Sequence, residues 1–86
     1  MKQFTHTIRD EMGIHARPAG LLAKAAKDFA DTVITVSRDG TSVRATQLMK
    51  LMSLGVRQGD TVTVAAEGPQ EAAAIASMEA FFREHL

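Results

Sequence analysis

Phe4, His6 and Ile8 fall at every second position within residues 3–8 and predict a half-buried strand. From residue 16 the period lengthens. Ala19, Leu22, Ala26 and Phe29 follow at spacings of 3, 4 and 3, with Arg17, Lys24, Lys27 and Asp28 on the polar side, which predicts a helix over 16–29. Pro18 falls in its first turn, where a missing N–H costs nothing. Two short runs, 32–37 (TVITVS) and 42–45 (SVRA), read as strands on either side of Arg38-Asp39-Gly40-Thr41, whose Asp-Gly pair signals a hairpin turn. Residues 47–54 (QLMKLMSL) fit a helix of one or two turns lying on the domain, with Gly55 as its stop. Alternation returns in 60–67 (DTVTVAAE), with Val62, Val64 and Ala66 pointing inward. A last helix is expected after Gly68, with Pro69 at its first position and Glu71 in its first turn. Ile75, Met78, Phe82 and Leu86 form its apolar stripe.

The order β-α-β-β-α-β-α predicts a two-layer α+β sandwich in which all helices share one apolar sheet face. The sheet should be mainly antiparallel, because its second face reads Thr, Ser and Gln and suits solvent. With 86 residues, no repeat and no linker, the chain reads as a single domain, 1–86. It has no cysteine, which excludes a disulfide framework, a zinc finger and a thiol nucleophile. With three histidines and no His-x-x-x-His pair, no metal site or other cofactor is expected. No apolar run approaches the ~18 residues of a membrane span, and no signal-peptide layout opens the chain, so a cytoplasmic location is expected.

Ten Lys and Arg balance ten Asp and Glu, which argues against sequence-blind nucleic-acid binding. The zero sum hides a pattern. Residues 12–27 carry Arg17, Lys24 and Lys27 and no acid, and residues 40–59 carry Arg44, Lys50 and Arg57 and no acid. Leu48, Met49, Leu51, Met52 and Leu54 cannot all face inward from so short a helix, so one or two must be exposed. Exposed apolar residues rimmed by positive charge suggest a surface for an acidic protein partner.

Residues 13–20 read Gly-Ile-His-Ala-Arg-Pro-Ala-Gly. His15 sits at or next to the N-cap of the first helix, where Ser, Thr, Asp or Asn would be favoured, and such a departure is expected at a functional site. The free N–H groups and positive dipole end of the first turn favour an anion and a neutral, nucleophilic imidazole. Arg17 can bond an anion held there in two places, and Pro18 fixes the turn so that the Ala16 and Arg17 amides are held in position. This arrangement suits accepting a phosphoryl group and passing it on, which is mostly positioning and charge neutralisation. No Ser or Asp is placed near His15 in sequence to suggest a triad.

Gly13 to Ala19 (GIHARPA) resembles the active-site signature of the HPr family, the histidine-containing phosphocarriers of the bacterial phosphoenolpyruvate:sugar phosphotransferase system. Residues 51–55 (LMSLG) and 65–68 (AAEG) resemble two further family signatures, and the likeness spans essentially the whole chain. It implies an open-faced β-sandwich, four antiparallel strands with three helices on one side. It also implies a carrier, with a covalent phosphohistidine rather than a free-standing enzyme's turnover. His15 would take the phosphoryl group on Nδ1 from Enzyme I, Arg17 and the amides would hold it, and sugar-specific acceptor proteins would receive it. The implied docking surface is Ala16, Gly20, Leu21 and Lys24 on the first helix with Leu48, Met49, Lys50 and Met52 on the short one. A monomer that inserts into no membrane is expected.

The chain departs from the family at the regulatory serine of many relatives, whose position falls on Gln47, a residue without a hydroxyl. Thr46 precedes it, and Ser53 matches a different family position with a structural role. His6 stands where the family has an apolar residue and is expected at the core edge with its polar tip in reach of solvent. His85, in the terminal turn, is expected to be solvated. Two other functions compete with the sugar-system carrier: an HPr-like carrier with a nitrogen-related or regulatory role, and an α+β ligand-binding module in which His15 is incidental.

Overall fold

Val62, Val64 and Ala66 are fully buried on one side of strand β4 (Thr61–Glu67), as the alternation requires, and β4 lies inside the sheet. The structure, a computed structural model, describes all residues 1–86. Before β4 come β1 (Lys2–Thr7), α1 (Ala16–Lys27), β2 (Val33–Arg38), β3 (Thr41–Arg44) and α2 (Leu48–Ser53), and α3 (Glu71–His85) follows it. The four strands pair antiparallel throughout, in the order β1-β4-β2-β3. Core-facing side chains of the sheet join buried residues of all three helices, among them Leu22, Leu51, Met78 and Phe82. The opposite face is polar: Thr7 and Thr61, paired in the register, share a hydroxyl hydrogen bond of 3.0 Å, and Ser37 bonds Ser42 across the hairpin.

The hairpin turn is tighter than the sequence suggests. Arg38 and Thr41 still pair, so Asp39 and Gly40 alone make the turn, both with positive φ (50° and 84°), the two-residue form that suits the twist of the strands. Helix α1 ends at Lys27 rather than at residue 29. The Asp28 and Phe29 N–H groups donate three residues back, to Ala25 and Ala26, so the chain tightens there while Phe29 still packs against the core.

Helix α3 starts at Glu71, with Gln70 as N-cap, so Pro69 lies outside it rather than at its first position. A distant residue sets this start. Thr32 Oγ1 accepts the Gln70 N–H at 2.9 Å, and Glu71 reaches back to accept the Gly68 N–H at 3.3 Å. A hydrogen bond from the N-terminal ammonium, 3.1 Å away, and the one from Gly68 hold the Glu71 carboxyl below its ordinary range.

His6 departs from expectation most clearly. Its ring meets the edge of Phe82 at 5.5 Å, and Nε2 is buried with no hydrogen-bond partner, so the polar tip does not reach solvent. An unpaired buried polar atom costs about 1–3 kcal/mol. His6→Leu, similar in volume and wholly apolar, should therefore raise stability by about 1 kcal/mol, read as a higher urea midpoint at unchanged slope. A lower midpoint would show that the imidazole's contact with Phe82 outweighs its unpaired nitrogen.

Candidate functional site

The loop before α1 is shaped by a turn and a close approach. Asp10 C=O accepts the Gly13 N–H at 3.1 Å, and Asp10 Oδ1 accepts the Met12 N–H at 2.8 Å, a turn with Asp first and Gly fourth. Gly13 has φ 65°, and a Cβ there would stand 2.1 Å from the Val56 carbonyl oxygen, so only glycine fits. Ile14 then donates its N–H to that same Val56 oxygen at 3.3 Å and buries its side chain. His15 is thereby delivered to the helix start from a loop anchored on Val56, in the connection between α2 and β4.

His15 is the N-cap of α1, with extended backbone (φ −105°, ψ −176°). Its C=O accepts the Ala19 N–H at 2.9 Å, but its side chain makes no capping hydrogen bond. The imidazole is therefore not spent on the helix. The Ala16 and Arg17 amides have no intrahelical acceptor, as in any first turn, and Pro18, buried, has no N–H to offer. No acid stands in that first turn to neutralise its positive end.

Asp10, His15, Arg17, Pro18, Leu21 and His85 line one cleft of about 280 Å³. Arg17 is exposed and forms no ion pair within the protein, so its guanidinium is available to an incoming anion. Two residues of this cleft lie outside the sequence expectation. Asp10 Oδ1 stands 3.7 Å from His15 Nε2, so an acid is close to the histidine after all. The signal was available as Asp10-x-x-Gly13, a turn that folds the carboxylate back toward the helix start. His85 is exposed, as expected, and it also lines the cleft, its ring tilted by 37° to that of Phe81 with centroids 4.6 Å apart. Only packing of α3 beside α1 brings it there.

Helices α1 and α2 pack side by side, which places the two acid-free basic segments together. Ala16, Leu21 and Lys24 are exposed on α1 and Gly20 is half-buried. On α2, Leu51 is buried, while Leu48, Met49, Lys50 and Met52 are exposed, Met49 by 74%. Three apolar residues of α2 are thus exposed rather than one or two. A helix of six residues leaning on the core through Leu51 has too narrow a contact to bury the others. Gln47 is the N-cap of α2, exposed and without a side-chain cap bond.

The family model for the PTS HPr component phosphorylation site matches residues 2–84. The chain is 40% identical over 80 residues to the phosphocarrier protein HPr of Mycoplasma genitalium, covering 93% of this chain and 91% of that one. The fold superposes on a solved mycoplasma histidine-containing phosphocarrier protein with a TM-score of 0.92 at 29% identity, over 96% of this chain and 93% of that chain. It also matches an HPr dimer from Thermoanaerobacter tengcongensis, with a TM-score of 0.76 at 39% identity, over 98% and 95% of the two chains.

Proposed function

The chain belongs to the HPr phosphocarrier family of the phosphotransferase system, and from that premise we propose that it takes a phosphoryl group from Enzyme I on Nδ1 of His15 and passes it to sugar-specific acceptor proteins. One observation supports this above others. His15 stands at the N-cap with no capping bond from its side chain, in a cleft it shares with an unpaired Arg17.

In this reading residues 1–86 form a single carrier domain, monomeric and cytoplasmic, that needs no cofactor. The phosphoryl oxygens are met by the Ala16 and Arg17 amides, by the positive end of α1, and by the Arg17 guanidinium. These groups are in place before the phosphoryl group arrives, so little reorganisation is needed at transfer. Pro18 holds the turn rigid. The protein ends each cycle phosphorylated or free and turns over only through its partners. Incubation with Enzyme I and phosphoenolpyruvate should add the mass of one phosphoryl group, labile in acid and stable in base. An unmodified mass, or a base-labile adduct on a hydroxyl, would refute the reading.

Partners dock on the face made by Leu21 and Lys24 of α1 with Leu48, Met49, Lys50 and Met52 of α2. Met49 is its most exposed large apolar residue, so Met49→Asp should weaken binding to Enzyme I by about 1–3 kcal/mol, the scale of a hot-spot residue. Titration calorimetry of the variant measures this directly, and an unchanged dissociation constant would move the interface elsewhere. Gln47 at the α2 start offers no hydroxyl, so an ATP-dependent kinase acting on that position should leave this protein unmodified, and a phosphothreonine at the neighbouring Thr46 would show that the switch survives there.

A further inference from the structure

Resting on the reading that His15 carries a phosphoryl group, we propose that Asp10 is a positioning residue. Its carboxylate holds the His15 proton on Nε2, so that Nδ1 presents the lone pair that attacks phosphorus. The distance from Asp10 Oδ1 to His15 Nε2 is 3.7 Å, too long for a hydrogen bond and within reach of an ion pair. The carboxylate is not a loose surface group, since the Met12 N–H bond at 2.8 Å ties it into the turn that Gly13 closes. Both side chains are only 30% exposed, so solvent screens the pair incompletely.

A neutral imidazole carries its proton on one nitrogen, and the partner of that nitrogen decides which. A carboxylate beside Nε2 favours the proton there and leaves Nδ1 unprotonated. When Nδ1 attacks, its electron pair forms the new N–P bond, and the bond from phosphorus to the donor's side chain breaks with its pair left on the donor. The Nε2 proton stays in place, so the ring becomes cationic. The Asp10 carboxylate then stands beside that new charge and draws closer, as contacts of this kind do when the reacting complex forms. Onward transfer reverses the step: the N–P pair returns to Nδ1 and the ring loses its charge.

Arg17 and His85 also face this cleft, but Arg17 can only donate, and among the ion pairs of the protein only the one with Asp10 involves His15. Asp10 is thus the one anionic group within 4 Å of the ring nitrogens.

Asp10→Asn is the informative variant, because its amide oxygen can keep the Met12 N–H bond while the charge is removed. Long-range proton–nitrogen spectra of the unphosphorylated protein read the tautomer without any transfer reaction. In the parent they should show His15 protonated at Nε2 and unprotonated at Nδ1. Asp10→Asn should lower the Nε2–H share and slow acceptance from Enzyme I by about two- to fivefold, the size set by a partly exposed ion pair. Asp10→Ala should shift the tautomer in the same direction. The proposal is overturned if the parent carries the proton on Nδ1, or if Asp10→Asn leaves either the tautomer ratio or the transfer rate unchanged. A parent protein that accepts no phosphoryl group would refute the carrier reading instead, and the spectra would still decide what Asp10 does to the ring.

Discussion

His15→Ala should accept no phosphoryl group at all from Enzyme I and phosphoenolpyruvate, while unfolding as cooperatively as the parent. The two halves of this expectation have separate causes. Acceptance needs a nitrogen lone pair at the helix start, and no other nucleophile there has both the α1 amides and Arg17 around it. His85 shares the cleft but stands on the last turn of α3, away from those amides. Stability should change by less than about 0.5 kcal/mol, since the lost ring is partly exposed and makes no capping bond. Mass spectrometry after the incubation and a urea titration check the two halves. A phosphorylated His15→Ala protein would show that the site is elsewhere.

The largest stability effect belongs to Gly13. Gly13→Ala should cost about 2–4 kcal/mol, because the new Cβ would stand 2.1 Å from the Val56 oxygen and the backbone has φ 65°. The atoms that would clash, Val56 O and C and Arg57 Cα, are all backbone, so no side-chain rotation relieves the contact. Relief requires the 13–15 loop to lift off Val56, which breaks the Ile14 bond and displaces His15 from the helix start, so acceptance should fall as well. Gly20→Ala is the control. Nothing lies within 4 Å of its Cβ, and alanine in a helix interior should stabilise by about 0.5–1 kcal/mol. Equal urea midpoints for Gly13→Ala and the parent would show that the loop is not held where the structure has it.

Much of the architecture is legible along the chain, and the exceptions share a cause. Alternation in β4 identifies the buried side of a central strand because period-2 burial is a local property of an extended chain. The Ala19, Leu22 and Ala26 spacing identifies the buried side of α1 for the same reason. The start of α3 is different, because it depends on Thr32, 38 residues away from Gln70. Pro69 looks like a first helical residue only while that partner is out of view. His6 reads as an edge residue until α3 brings Phe82 over its ring.

The site divides along the same line. His15, Arg17 and Pro18 lie within one helical turn, so their spacing already implies a nucleophile beside an anion cradle. Their neighbours come from folding. Asp10 arrives through a turn whose Asp-x-x-Gly pattern is local, whereas His85 arrives only by tertiary packing, and no spacing along the chain points to it. The exposed apolar residues of α2 fall between these cases. Their number follows from how a short helix leans on the core, which periodicity over six residues cannot resolve.

The central claim is that this protein receives a phosphoryl group and gives it away. A two-step relay tests it most directly. The protein is first labelled with phosphoenolpyruvate and catalytic Enzyme I, freed of both, and then mixed with a sugar-specific acceptor protein of the phosphotransferase system. The label should appear on His15 in the first step and move to the acceptor in the second, leaving the protein at its starting mass. A label that never forms, or that forms on His15 and cannot be discharged to any such acceptor, would contradict the account.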